Sequence, residues 1–125
     1  MTPGIVIRGM GVMKWPDSHA YAIAGEVTTG TIEGIGFHVP VLTGETVKII
    51  RLEADIGSGT SATVKLQKAG ADVTGFTGLE AKTAVARKEG TPVEVLDKEK
   101  LTIVVTAVSG TPKNLSVTIV LERVR

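Results

Sequence analysis

An antiparallel β-sandwich is the fold this chain predicts, and three observations predict it. Seven stretches alternate apolar with polar residues at period two, glycine-rich turns separate nearly all of them, and no segment carries a helical stripe. Strict alternation marks a half-buried strand, because successive side chains point to opposite faces of a sheet. The clearest stretch sets Leu115, Val117, Ile119 and Leu121 inward against Ser116, Thr118 and Glu122 outward.

Residues 1–28 differ from the rest of the chain. Gly4, Gly9, Gly11 and Gly25 punctuate them, and Pro3 and Pro16 deny helix continuity. Ile5-Val-Ile7 has the pattern of a short strand, but Met10, Val12, Met13 and Trp15 sit in a segment too irregular to bury them alone. The segment reads as an N-terminal extended arm. A flexible terminus, or a first strand folded onto the sandwich, is the structural alternative. As an arm it would dock on a neighbour, through Ile5, Ile7, Arg8, Met10, Met13, Trp15 and Tyr21.

Residues 29–125 form the sandwich domain, of about eight strands. The first strand runs from Thr31 to Val39, with Ile35, Phe37 and Val39 on one face, and Pro40 ends its ladder. After the Thr43-Gly-Glu45 turn, Thr46–Ile56 is the longest strand. Val47 and Ile49 share one parity, whereas Ile50, Leu52, Ala54 and Ile56 share the other. That phase switch predicts a β-bulge, or burial on both faces, at Ile49-Ile50. Gly57–Ser61 is a turn by composition. Ala62, Val64 and Leu66 then point inward, with Lys65 and Gln67 outward, and Ala69-Gly-Ala-Asp72 reads as a tight hairpin.

A short strand over Val73–Phe76 comes next. Leu79–Arg87 mixes helix formers with β-branched alternation and is read as strand. Glu89–Pro92 is a turn, Val93–Leu96 a short edge strand, and Asp97–Lys100 a charged turn. Leu101, Ile103, Val105 and Ala107 point inward from the next strand. Ser109–Asn114 is a broad loop, and the last strand, to Val124, is expected to pair with the one before it. The whole fits a two-sheet sandwich of jelly-roll type.

The 125 residues suit one domain, and 42% hydrophobic residues supply one core, built mostly from Val, Ile, Leu and Ala. The formal net charge is +1, and Lys and Arg are interspersed with Asp and Glu, so no basic footprint for nucleic acid is present. The absence of cysteine excludes disulfides, thiolate catalysis and cysteine-based zinc sites. Neither a signal peptide nor an apolar run near the ~20 residues of a membrane span is seen, so no membrane partner is expected.

No constellation for catalysis emerges, and neither a cofactor nor a metal is expected. Asp17-Ser-His19 holds the residue types of a serine triad, but triad members must converge from separate segments and be backed by an oxyanion hole. His38 reads as a surface or subunit-contact residue. Glu53 and Asp55 share a strand face, yet Lys48, Arg51 and Lys65 lie close, which favours a charge-balanced sheet surface over a glycosidase pair. Asp97 and Glu99 are a weak candidate for a calcium site, and Lys98 and Lys100 argue against it. Gly57-Ser-Gly-Thr-Ser61 lacks the Lys and the following helix of a phosphate loop. Exposed aromatics for stacking on sugars are scarce: Phe37 reads as buried, leaving Phe76 and Tyr21.

Three runs are familiar together: Thr31-Ile-Glu-Gly-Ile-Gly-Phe-His-Val-Pro40 with Gly44-Glu-Thr-Val; Gly59-Thr-Ser-Ala-Thr-Val-Lys-Leu-Gln-Lys-Ala-Gly-Ala-Asp-Val73; and Asp97-Lys-Glu-Lys-Leu-Thr-Ile-Val-Val105 with Leu115-Ser-Val-Thr-Ile-Val-Leu121. Over about Gly25 to Arg125 the chain resembles the small jelly-roll modules of tailed-bacteriophage virion proteins. Such modules serve as head decoration proteins, capsid fibres and pieces of tail fibres, often as trimers. The resemblance implies a non-enzymatic virion protein, made in the host cytoplasm and seated on the capsid surface. Its expected partners are the major capsid protein lattice and two further copies of itself. The lack of a long repetitive shaft sets the chain closer to a decoration protein than to a full-length fibre. A fibre module binding host-surface glycan or receptor is the alternative.

Overall fold

The computed structural model describes residues 13–125, with side chains for all of these except 31–35. Two antiparallel sheets face each other. Strands β1 (Lys14–Ala22), β3 (Thr46–Asp55), β7 (Ala86–Val95) and β9 (Ser116–Val124) form the first, in the order β1-β9-β3-β7. Strands β2 (Gly30–His38), β4 (Ser61–Lys68), β5 (Ala71–Asp72) and β8 (Lys100–Ser109) form the second, in the order β2-β8-β4-β5, and β6 (Leu79–Ala81) also pairs with β4. The chain changes sheet at most of its connections, which gives a jelly-roll-like winding.

The core lies between the sheets. Val47, Ile49, Leu52, Val117, Ile119 and Leu121 face it from the first sheet, and Val64, Leu66, Leu101, Ile103 and Val105 from the second, all with at most 1% exposure. Phe76 enters from the β5–β6 connection and is fully buried. Its carbonyl accepts from Leu66 N–H at 2.9 Å, so the loop is sewn to β4 as well as packed on it.

The alternation pattern carries through, and so does the phase switch. Ile50 is skipped in the register of β3 with both neighbours, as a bulge demands. The hairpin at Ala69-Gly70 is also formed, with positive φ at both central residues, the geometry that matches strand twist.

Other expectations are corrected. The last two strands do not pair: β8 lies between β2 and β4, and β9 between β1 and β3. Residues 110–115 cross from one sheet to the other. Gly59, at φ +97°, lets the β3–β4 loop lie so close to this crossing that a Cβ there would sit 2.5 Å from Pro112 Cα. Val73–Phe76 is a turn rather than a strand, and the next stretch is strand at Leu79–Ala81 and again at Ala86–Arg87, where β7 begins, with Lys82–Val85 turning between them. Residues 89–92 are not a turn between strands but part of β7, with an irregular register where Gly90 rests on the Gly75 backbone. Ala107 is exposed, because the β8 register with β4 shifts between its partners for Thr63 and Val64 and ends the inward alternation at Val105.

Residues 14–22, in the segment read as an arm or as a first strand folded onto the sandwich, form the edge strand β1, paired with β9 along its whole length. The arm expectation for residues 1–12 lies outside the described residues.

Loops 39–45 and 96–99, the 69–70 hairpin, Met13 and Arg125 occupy one end of the sandwich, here termed the Arg125 end. Residues 23–29, 56–60, 82–85 and 110–115 occupy the opposite end.

Candidate functional site

Of the residues singled out in the N-terminal segment, Trp15 and Tyr21 lie on the seam where edge strand β1 of one sheet faces edge strand β2 of the other. Met13 and Arg125 exchange two backbone hydrogen bonds of 2.9 Å. By alternation the odd-numbered residues of β1 bond to β9, and the even ones turn their backbone groups to the free edge. Pro16 falls at a free-edge position, where its missing N–H costs no ladder bond. Ser18, also at the free edge, donates its N–H to Asp17 Oδ1 at 2.9 Å. Two successive edge positions are thereby closed to a further strand.

The inward parity of β1 is Trp15, Asp17, His19 and Tyr21, all half-buried. An inward carboxylate needs a partner, and Arg123 of β9 supplies it: Nε donates to Asp17 Oδ2 at 2.9 Å. The same guanidinium donates through Nη1 to Glu45 Oε1 at 2.8 Å and to the Pro40 carbonyl at 3.0 Å. Glu45 has a side chain only 3% exposed, so this cluster pins β1, β9 and the β2–β3 loop together. Burial pushes the Asp17 carboxyl up, but the hydrogen bonds from Arg123 and Ser18 outweigh it and hold the group below the usual aspartate value.

Next along the seam, His19 stacks on Phe37 of β2 with ring centroids 3.9 Å apart and planes at 21°. Tyr21 tilts against the same ring at 5.7 Å. Phe37 is thus half-buried rather than buried. The Tyr21 hydroxyl is enclosed and, among the described residues, has no hydrogen-bond partner. Burial raises its pKa to about 12.

Trp15 lies at the Arg125 end of β1. With Lys14, Pro16, Ile50 and Glu122 it lines a shallow recess of about 190 Å³. The bulge turns Ile50 out of the core and toward this recess. Sequence reasoning missed Ile50, Glu122, Arg123 and Glu45 as neighbours of the segment, because only long-range pairing brings them there. The bulge at Ile50 was the one local signal.

Of the sequence-selected residues, Met13 is 64% exposed, Trp15 and Tyr21 belong to the seam, and Ile5, Ile7, Arg8 and Met10 lie outside the described residues. Phe76 cannot stack on a sugar, because it is completely buried.

The described residues assemble no catalytic centre. Ser18 points away from Asp17 and His19, across the strand. Glu53 accepts two cations, Arg51 Nε at 2.8 Å and Arg87 Nε at 3.1 Å, though the Arg51 N–H is not aligned with the carboxylate. Arg51 Nη1 also reaches Glu89 at 3.6 Å, which makes the surface a charge-balanced one. Lys65 belongs to the other sheet and pairs with Asp72 at 2.9 Å. Hydrogen bonds from Gln67 and Lys65 hold the Asp72 carboxyl below its usual value. Asp97 Oδ1 accepts from Val41 N–H at 2.9 Å and Glu99 Oε1 from Leu96 N–H at 2.7 Å, so both loop carboxylates brace backbone. No group of three His, Cys, Asp or Glu side chains among the described residues is placed to hold a metal ion.

No protein-family model matches the chain, and no curated protein matches it. Solved structures do. A chain of the cyanophage Pam1 capsid asymmetric unit is 21% identical and superposes with a TM-score of 0.60, covering 99% of this chain and 91% of that one. The C-terminal domain of EclA, a sugar-binding protein, is 16% identical at a TM-score of 0.46, covering 83% and 78%. A family 35 carbohydrate-binding module from Clostridium thermocellum is 15% identical at 0.41, covering 86% and 97%. The latter two superpose too loosely to bear on this chain. The first establishes that this all-β sandwich, over essentially its full length, is a fold that a phage capsid contains.

Proposed function

We propose that the chain is a non-catalytic structural protein of a virion, a head decoration protein that binds and stabilises the capsid lattice. One observation carries this reading: the full-length likeness of fold to a chain of a phage capsid. In this reading the chain sits on the outside of the head as a trimer, and residues 1–13, with Ile5, Ile7, Arg8, Met10 and Met13, reach the lattice. Trp15 and Tyr21 act by fixing β1, from which that segment departs. Apolar area buried on docking contributes roughly 25 cal/mol per Å² before ordering costs, so many modest contacts reinforce a shell collectively. The test is sedimentation of the purified chain with heads of the parent virus stripped of it. Saturable binding that raises the temperature at which heads rupture is expected. A chain that remains in the supernatant contradicts the proposal.

The Trp15 recess favours a second reading, a fibre module that binds host-surface glycan. An indole beside Pro16 and Ile50, with Glu122 and Lys14 at the rim, offers both an apolar platform and hydrogen-bonding groups to a sugar. Retention of the chain on immobilised host polysaccharide, abolished by Trp15→Ala, would support this reading over the first.

A further inference from the structure

We infer that the Arg125 end of the sandwich is a preformed docking surface for an acidic protein surface with apolar pockets. The inference rests on the proposed capsid function and specifies which face meets the shell. Of the five large hydrophobic side chains that stand exposed among the described residues, three lie at this end: Met13 at 64%, Leu42 at 58% and Leu96 at 59%. Two of them are held out on braced turns. Leu42 N–H donates to Glu45 Oε1 at 3.2 Å, and Glu45 N–H returns to the Leu42 carbonyl at 2.9 Å. Leu96 N–H donates to Glu99 Oε1 at 2.7 Å, and Glu99 N–H returns to the Leu96 carbonyl at 3.1 Å. The two loops are tied to each other by Val41 N–H to Asp97 and by Lys98 N–H to the Val39 carbonyl. A surface whose geometry is fixed beforehand loses little entropy on binding.

Charge points to the partner's chemistry. Lys14, Lys98, Lys100 and Arg125 are exposed around this end, with His38 beside Lys100 in register. Its loop carboxylates are engaged within the end: Glu45 with Arg123, Glu99 with Lys68 and Leu96 N–H, and the exposed Asp97 with Val41 N–H. The end thus combines two exposed leucines on linked loops with exposed cations, which a complementary surface answers with apolar pockets and carboxylates. A lipid surface fits less well. Interfacial anchors use Trp and Tyr, and no aromatic side chain is among the exposed large hydrophobics.

The experiment is the head-sedimentation assay with the full chain, its Leu42→Ser/Leu96→Ser variant and a Val85→Ser control. Val85 is 60% exposed at the opposite end. All three side chains are exposed, and unchanged thermal midpoints verify folding. The double variant is expected to bind about tenfold more weakly or worse. Lys98→Glu should weaken binding further at low than at high salt, whereas Val85→Ser should bind as the parent does. Equal binding by parent and double variant overturns this inference while leaving the capsid reading intact. Loss with Val85→Ser alone places the footprint at the wrong end and also overturns it. Failure of the parent chain to bind heads removes both, as does binding to anionic vesicles (three phosphatidylcholine to one phosphatidylserine) in place of heads.

Discussion

Arg123 and Tyr21 show how single residues hold the seam. Arg123 answers two carboxylates and a carbonyl at once, so the inward Asp17 of an edge strand is satisfied rather than stranded. Tyr21 is the only tyrosine in the chain, which makes it a private reporter. Its phenol should titrate at about 12 in the native protein, because burial disfavours the phenolate. The unfolded phenol ionises near ~10. The native pKa is the raised one, so this group's contribution is fully present below ~10 and lost as pH rises toward the native value. Phenolate absorbance followed with far-ultraviolet circular dichroism should show ionisation delayed until about 12 or coupled to unfolding. Ionisation near ~10 with the fold intact would mean the seam is open. At this scale the sequence was partly misleading. Asp17 and His19 read as polar residues of a loose arm, since nothing local announces that Arg123 and Phe37 will receive them.

Elements were legible where their signal is local. Inward and outward parity of β4, β9 and most of β8, the bulge at Ile50 and the hairpin at Ala69-Gly70 all follow from period-two patterning and turn chemistry. What was not legible is which strand pairs with which. Alternation in β8 and β9 is the same whether they share a sheet or face each other, and a six-residue loop permits both. The observed crossing depends on backbone contact between the two loops at Gly59 and Pro112. Gly59→Ala forces a Cβ into that contact at a left-handed φ, and should lower stability by about 2–3 kcal/mol. Gly44 has a similar φ of +81° in open space, so Gly44→Ala should cost only about 1 kcal/mol. Chemical denaturation of the two variants measures the difference. Equal losses would show that the crossing is not held by that contact.

For the whole molecule, fold class was the best-determined property of the sequence, and the candidate site the least. Its neighbours on β3, β9 and the β2–β3 loop join it only through tertiary structure. The resulting body is polarised. One end carries the braced leucines and the exposed cations, and the other is closed by loops packed on loops. A shell-bound protein has use for such polarity, because one end must grip while the other faces outward. Electron cryomicroscopy of the parent virion tests this most directly. The account predicts trimeric sandwich density on the head surface, with Met13, Leu42 and Leu96 against the shell. Density at the distal tip of a fibre, or a head-bound sandwich with the Val85 end against the shell, would contradict it.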